Sequence, residues 1–123
     1  MIRRLFILIF FTSCYSVNRD CNDFMTGKFN FTYELNDTIQ ESTFTRTLNY
    51  EIEEYNGVID SSKISWVNNC EFILTKLNPR TNQEKRPVRV KILRTYDDSY
   101  DFEYSNINEP ILIRRGKVKR IND

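Results

Sequence analysis

The chain has 123 residues with 18 basic and 17 acidic side chains, a formal net charge of +1 and no histidine. That length suits one domain and not two, and a charge near zero selects neither nucleic acid nor an acidic surface. The missing imidazole excludes Ser-His-Asp and Cys-His pairs, imidazole general bases and the common zinc sites. Gly27, Gly57 and Gly116 are too far apart for a phosphate-cradling loop, so neither a catalytic residue, a metal nor a cofactor is expected.

The chain opens with Arg3 and Arg4, followed by the apolar run Leu5-Phe6-Ile7-Leu8-Ile9-Phe10-Phe11. A charged start, an apolar stretch and small residues before a break form the pattern of a secretory signal. The run is too short for a transmembrane helix, which needs about 20 apolar residues. Phe11-Thr12-Ser13-Cys14 resembles the bacterial lipoprotein box, with Phe11 standing where the box usually has Leu. The resemblance implies removal of residues 1–13 and acylation of Cys14 on its sulfur and its new amino group. One acyl chain anchors marginally, whereas several hold durably. Tyr15 follows with no acidic cluster behind it. By analogy with bacterial sorting signals, that implies an outer-membrane lipoprotein facing the periplasm. The other reading is ordinary cleavage near Ser13 or Ser16 and a free secreted protein.

Residues 14–26 are expected to be a lipid-anchored tether and residues 27–123 a single β domain. Without the leader the chain carries 16 basic and 17 acidic residues, net −1, split into −5 over residues 14–79 and +4 over 80–123. Such asymmetry implies complementary charges on neighbouring strands, or else a partner-binding face. In an exported protein, Cys21 and Cys70 are an even pair for which a disulfide is the default. Two reduced cysteines packed apart are the alternative. No Cys-x-x-Cys occurs, so a structural rather than a redox bond is expected.

From Gly27 onward the hydrophobic period is two. Phe29, Phe31, Tyr33 and Leu35 alternate with Lys28, Asn30, Thr32 and Glu34, which is a half-buried strand, and Asn36-Asp37 supplies a turn. Phe44 and Leu48 follow among threonines, and Tyr50 and Ile52 continue an alternation through Tyr55. Asn56-Gly57 is a strong hairpin signal, because both residues tolerate φ > 0. Val58–Asp60 and Ile64–Val67 read as one bent strand or two. Cys70, Phe72 and Leu74 alternate next, and residues 78–85, with no apolar side chain, read as the longest loop. Val88, Val90 and Ile92 precede the turn Asp97-Asp98, and Tyr100, Phe102 and Tyr104 follow it. Ile111, Ile113, Val118 and Ile121 make a last strand, in which Gly116 suggests a bulge.

Seven to eight strands on short turns predict an all-β, antiparallel up-and-down meander, closed as a small barrel or folded as a sandwich to avoid exposed edges. This pattern resembles the lipocalin-like barrels. Cys21-Asn22-Asp23-Phe24, Thr26-Gly27-Lys28-Phe29 and Trp66-Val67-Asn68-Asn69-Cys70-Glu71-Phe72 are similar to segments of small lipoproteins of Bacteroidetes-type bacteria. Relatives of that kind sometimes carry a DNA topoisomerase IV label. This chain does not support it, since 123 residues hold neither an ATPase nor a strand-cleaving domain and a secretory leader directs it away from DNA.

The aromatics Phe29, Phe31, Tyr33, Phe44, Trp66, Phe72, Tyr100, Phe102 and Tyr104 read either as the lining of a cavity for an apolar ligand or as a filled core. Filling is favoured, because small strands leave little interior volume and each aromatic buries 150–250 Å². Arg114–Arg120 read as basic guards of an edge strand, or else as a contact for envelope anions. Glu51, Glu53 and Glu54 read as a solvated face rather than an acid/base pair, which would need an enclosed site to split its pKa values. The expectation for function is a non-enzymatic envelope lipoprotein, a structural or interaction module whose membrane contact is the acylated Cys14. The alternative is a lipocalin-like carrier of a small apolar ligand such as a fatty acid.

Overall fold

The computed structural model describes residues 19–35 and 37–121, apart from the side chains of 33–35 and 110–111. Cys14 and the leader lie outside the described residues. After a short 3-10 turn, Cys21–Phe24, come eight strands: β1 (Gly27–Leu35), β2 (Thr38–Arg46), β3 (Tyr50–Tyr55), β4 (Val58–Asn68), β5 (Glu71–Lys76), β6 (Val88–Thr95), β7 (Ser99–Asn106) and β8 (Glu109–Arg120). Each pairs antiparallel with the next, and β8 returns to β1 to close a barrel. The meander is therefore a barrel and not a sandwich.

Local chemistry accounts for the hairpins. Asn56 and Gly57 adopt φ of 48° and 76°, the pair of left-handed conformations that a two-residue turn matched to strand twist requires. Asp37 turns the β1–β2 connection with φ 61°. β4 is one strand, and its bend is a register shift between Trp66 and Asn68. The polar stretch between Lys76 and Val88 is the β5–β6 loop, in which the Glu84 carboxylate accepts backbone N–H bonds from Arg80 and Thr81 and an ion pair from Lys76.

Two expectations about β8 change. Its basic run does not guard a free edge at residues 117–120, because Lys117–Arg120 pair with β1 as well as β7. The charges answer β7, with Asp101 opposite Lys117 and Glu103 opposite Arg115, and Glu103 also faces Lys91 of β6. The asymmetry between the halves of the chain is thus partly spent within the second half itself. Gly116 is not at a bulge either: the register runs unbroken from Lys117 to Arg114. A Cβ there would lie 2.8 Å from Phe31 Cε2 and 2.9 Å from Phe102 Cζ, so the glycine lets two rings meet across the strand.

The Cys21–Phe24 turn closes one end of the barrel, the end bearing the β2–β3, β4–β5 and β6–β7 connections. Cys21 and Phe24 are both buried, and Phe24 lies edge-on to Tyr100. Arg120, whose guanidinium lies over the Phe24 and Phe29 rings, bonds the carbonyls of Asp23 and Thr26. This turn is part of the folded domain, which therefore begins before residue 27, the expected start. The reason is hydrophobic: an open barrel end would leave Phe29, Phe72 and Tyr100 wet. Cys21 is joined to Cys70 of the β4–β5 turn, with Cα atoms 5.2 Å apart.

That bond closes a loop of 49 residues, for which the chain-entropy model gives about 4 kcal/mol. A Cys21→Ser/Cys70→Ser double variant is expected to lose roughly that much unfolding free energy in urea. A midpoint unchanged from the parent would show the staple to be idle.

Candidate functional site

The barrel is filled at its closed end and hollow above. Phe24, Phe29, Phe72, Ile92 and Tyr100 are among the largest fully buried side chains and plug the lower half. Above them lies a cavity of about 250 Å³. Its apolar wall is formed by Phe31, Phe44, Phe72, Phe102 and Tyr104 with aliphatic residues of β5, β6 and β8, and its polar wall by Ser42, Arg46, Glu51, Glu53 and Tyr100. One half of the barrel is thus filled by aromatic side chains and the other bordered by them around a cavity.

Of the aromatics expected around a cavity, Phe31, Phe44, Phe72, Tyr100, Phe102 and Tyr104 do line it. Phe29 does not. It sits at the start of β1, wholly buried against Phe24 and Phe44. Trp66 is also off the cavity, tilted against Phe72 with ring centroids 4.9 Å apart and donating its indole N–H to the Leu48 carbonyl of the β2–β3 connection. The side chain of Tyr33 lies outside the described residues.

The polar wall follows from strand parity. Phe44 faces inward, so Ser42 and Arg46, two residues to either side, must do so as well. Both are buried, Arg46 with 3 % of its surface exposed. Arg46 pairs with Glu51 and Phe44 with Glu53 across the β2–β3 hairpin, and cross-strand partners share a face. Glu51 and Glu53 therefore point into the barrel, while Tyr50 and Ile52 are turned out at 46 % and 43 % exposure. Tyr50 and Ile52 are therefore not the buried face expected of them. Of the glutamates, Glu51 is drawn in against Arg46, while Glu53, although it borders the cavity, and Glu54 are exposed, as expected of a solvated face. The hairpin fixes it: Thr47 N–H bonds the Tyr50 carbonyl, setting the register.

Arg46 is bonded on three sides. Its Nε donates to Glu51 at 3.2 Å, one terminal nitrogen to the Phe24 carbonyl at 2.9 Å and the other to the Tyr100 hydroxyl at 2.8 Å. The guanidinium also lies over the rings of Phe29, Phe44, Phe72 and Tyr100, between 4.7 and 5.7 Å from their centroids. Burial works against its charge, but the Tyr100 hydroxyl and Glu51 outweigh this and hold its pKa above the ordinary value. Burial raises the Glu51 carboxyl, Arg46 draws it back in part, and Glu53 adds to the rise. Burial likewise raises the Tyr100 phenol. Glu53 accepts a hydrogen bond from the Ser42 hydroxyl at 2.5 Å.

A second hollow of about 170 Å³ shares Glu51, Glu53, Leu74 and Val88 with the first and is bounded by Asp60, Lys76 and the β5–β6 loop residues Gln83, Glu84 and Arg86. The two hollows thus adjoin at Glu51, Glu53, Leu74 and Val88, the second forming a vestibule beside that loop. Among the described residues no group of three or more Cys, Asp or Glu side chains is placed to share a metal ion. The chemistry available is an apolar socket with one charged side. Comparison with protein-family models, curated proteins and solved structures finds no match to this chain.

The Glu51 titration carries a testable sign. Because folding raises this pKa, the folded state favours the protonated form, so the contribution is fully present below the unfolded value of about 4.3 and is lost as pH rises through the folded value. The stability of the parent relative to Glu51→Gln is therefore expected to fall as pH rises from about 4, measured by urea unfolding across a pH series. A difference that is flat, or that rises with pH, would refute the assignment.

Proposed function

We propose that this protein is a non-enzymatic, lipocalin-like carrier of a small amphipathic molecule, held at the cell envelope by an acylated Cys14. The observation that carries the ligand half is the cavity of about 250 Å³ above the plugged floor. It lies just under the roughly 300–1,000 Å³ usual for drug-sized ligands. At the ~30 Å³ that each water occupies in the liquid, it has room for about eight waters, which suits a ligand of about ten non-hydrogen atoms. Nine apolar side chains around five polar ones form the usual chemistry of a small-molecule socket: apolar contact for affinity, a few polar groups for orientation.

Binding suits the polar wall better than catalysis does. Glu51 is tied to Arg46, and Glu53 is bonded by Ser42, so both carboxylates are held by structural partners. The anchor half of the proposal rests on Phe11-Thr12-Ser13-Cys14 after its basic, apolar leader. A tether of acyl chains at one end of the barrel, next to the plugged floor, would leave the vestibule end facing away from the membrane.

Two outcomes are expected. Cys14→Ser should move the protein from the membrane to the soluble fraction on cell fractionation, and unchanged membrane association would end the anchor proposal. Native mass spectrometry of protein taken from its own membrane should show a bound small molecule. That molecule should be lost in Val88→Trp, which puts bulk at the boundary the two hollows share, while the circular dichroism of the barrel is retained. A bare mass for the parent would end the carrier proposal.

A further inference from the structure

The cavity's charge chooses the ligand's polar end. Of the two carboxylates that face it, Glu51 is engaged by Arg46, at 3.2 Å. Glu53 has only the Ser42 hydroxyl, a neutral partner, and makes no ion pair among the described residues. The vestibule cations are already matched: Lys76 lies 3.2 Å from Glu84 and 3.9 Å from Asp60, and Arg86 lies 2.7 Å from Glu109. A carboxylate without a cation stands where the apolar chamber meets the vestibule.

We infer that the occupant is a cationic amphiphile, a small alkyl amine whose apolar chain fills the aromatic chamber and whose ammonium group rests against Glu53. This inference rests on the carrier function proposed above and specifies its ligand. An ammonium has three donors for the carboxylate and the neighbouring hydroxyl, and a charge-assisted bond of this kind is roughly twice as strong as a neutral one. Glu53 is exposed, so water screens the pair on one side and the apolar chamber wall adds to it only on the other.

An anionic head is rejected by the same geometry. Arg46 is the cation in the chamber, and three of its five N–H groups are taken by Glu51, Phe24 and Tyr100. A fatty carboxylate would have to compete with Glu51 for that guanidinium and come to rest beside Glu53. Like charges at such range are disfavoured. A neutral alcohol suffers neither penalty and gains no ion pair, so it reports the apolar chamber alone.

Isothermal titration of the purified full chain with octylamine, octan-1-ol and octanoate separates these cases, since the three share one chain length. Octylamine is expected to bind at least tenfold more tightly than the other two. Glu53→Gln is expected to abolish that preference. Octanoate binding most tightly, or an amine preference that survives Glu53→Gln, would overturn the inference while the carrier function stands. No binding of any of the three would overturn both. The comparison on the unaltered protein decides the head-group preference whether or not the variant folds.

Discussion

The barrel depends on a buried arginine. Arg46 stands at the boundary between the filled and the hollow half, and its guanidinium joins β2 to β3 through Glu51, to β7 through Tyr100 and to the N-terminal plug through the Phe24 carbonyl. A cation in this setting is costly to desolvate, and the cost is met only when its bonds are made. Here a carboxylate, a phenol, a carbonyl and four ring faces surround it. The arrangement holds as a whole: withdrawing a single partner strands a charge inside the barrel.

The division of the interior follows from that cluster. Below it, aromatic side chains of β1, β5 and β7 meet Phe24 and exclude water, and the disulfide fastens the plug to the β4–β5 turn. Above it, the inward positions of β2 and β3 are Ser42, Glu51 and Glu53, which do not fill space as rings do. A small barrel with large residues at every inward position would be solid. Replacing bulk by charge along one wall is what leaves the hollow, and it also gives the hollow its polarity. The cavity and its polarity therefore have one origin.

Much of this was legible along the chain. Period-two alternation located the strands, Asn56-Gly57 a two-residue hairpin, the apolar-free stretch the long loop, and Cys21 with Cys70 the staple, because each of these signals is local or arises by pairing residue types. Three features were not legible. Leu48, Tyr50 and Ile52 look like the apolar face of a strand, yet Leu48 lies in a connection and the other two face out. Gly116 looks like a bulge, but it is a point of close approach between rings contributed by β1 and β7. Phe24 looks like part of a tether, but it is core. For Gly116 and Phe24 the deciding neighbour is distant in sequence; for Leu48, Tyr50 and Ile52 it is the register of the local hairpin.

The amino-acid sequence by itself determined that this is an antiparallel, all-β domain of about eight strands with one bond between its cysteines, since hydrophobic period, turn chemistry and residue pairing act over a few positions. It also contained the parity that sends Arg46 and Glu51 inward, once Phe44 is taken as buried and the hairpin register is known. Only the tertiary structure decided that the sheet closes, that the closure is plugged at one end, and that the other end is hollow. Those outcomes depend on how side-chain volumes from strands far apart in the chain add up in a shared interior, and volume in a closed space is not a property of any one segment.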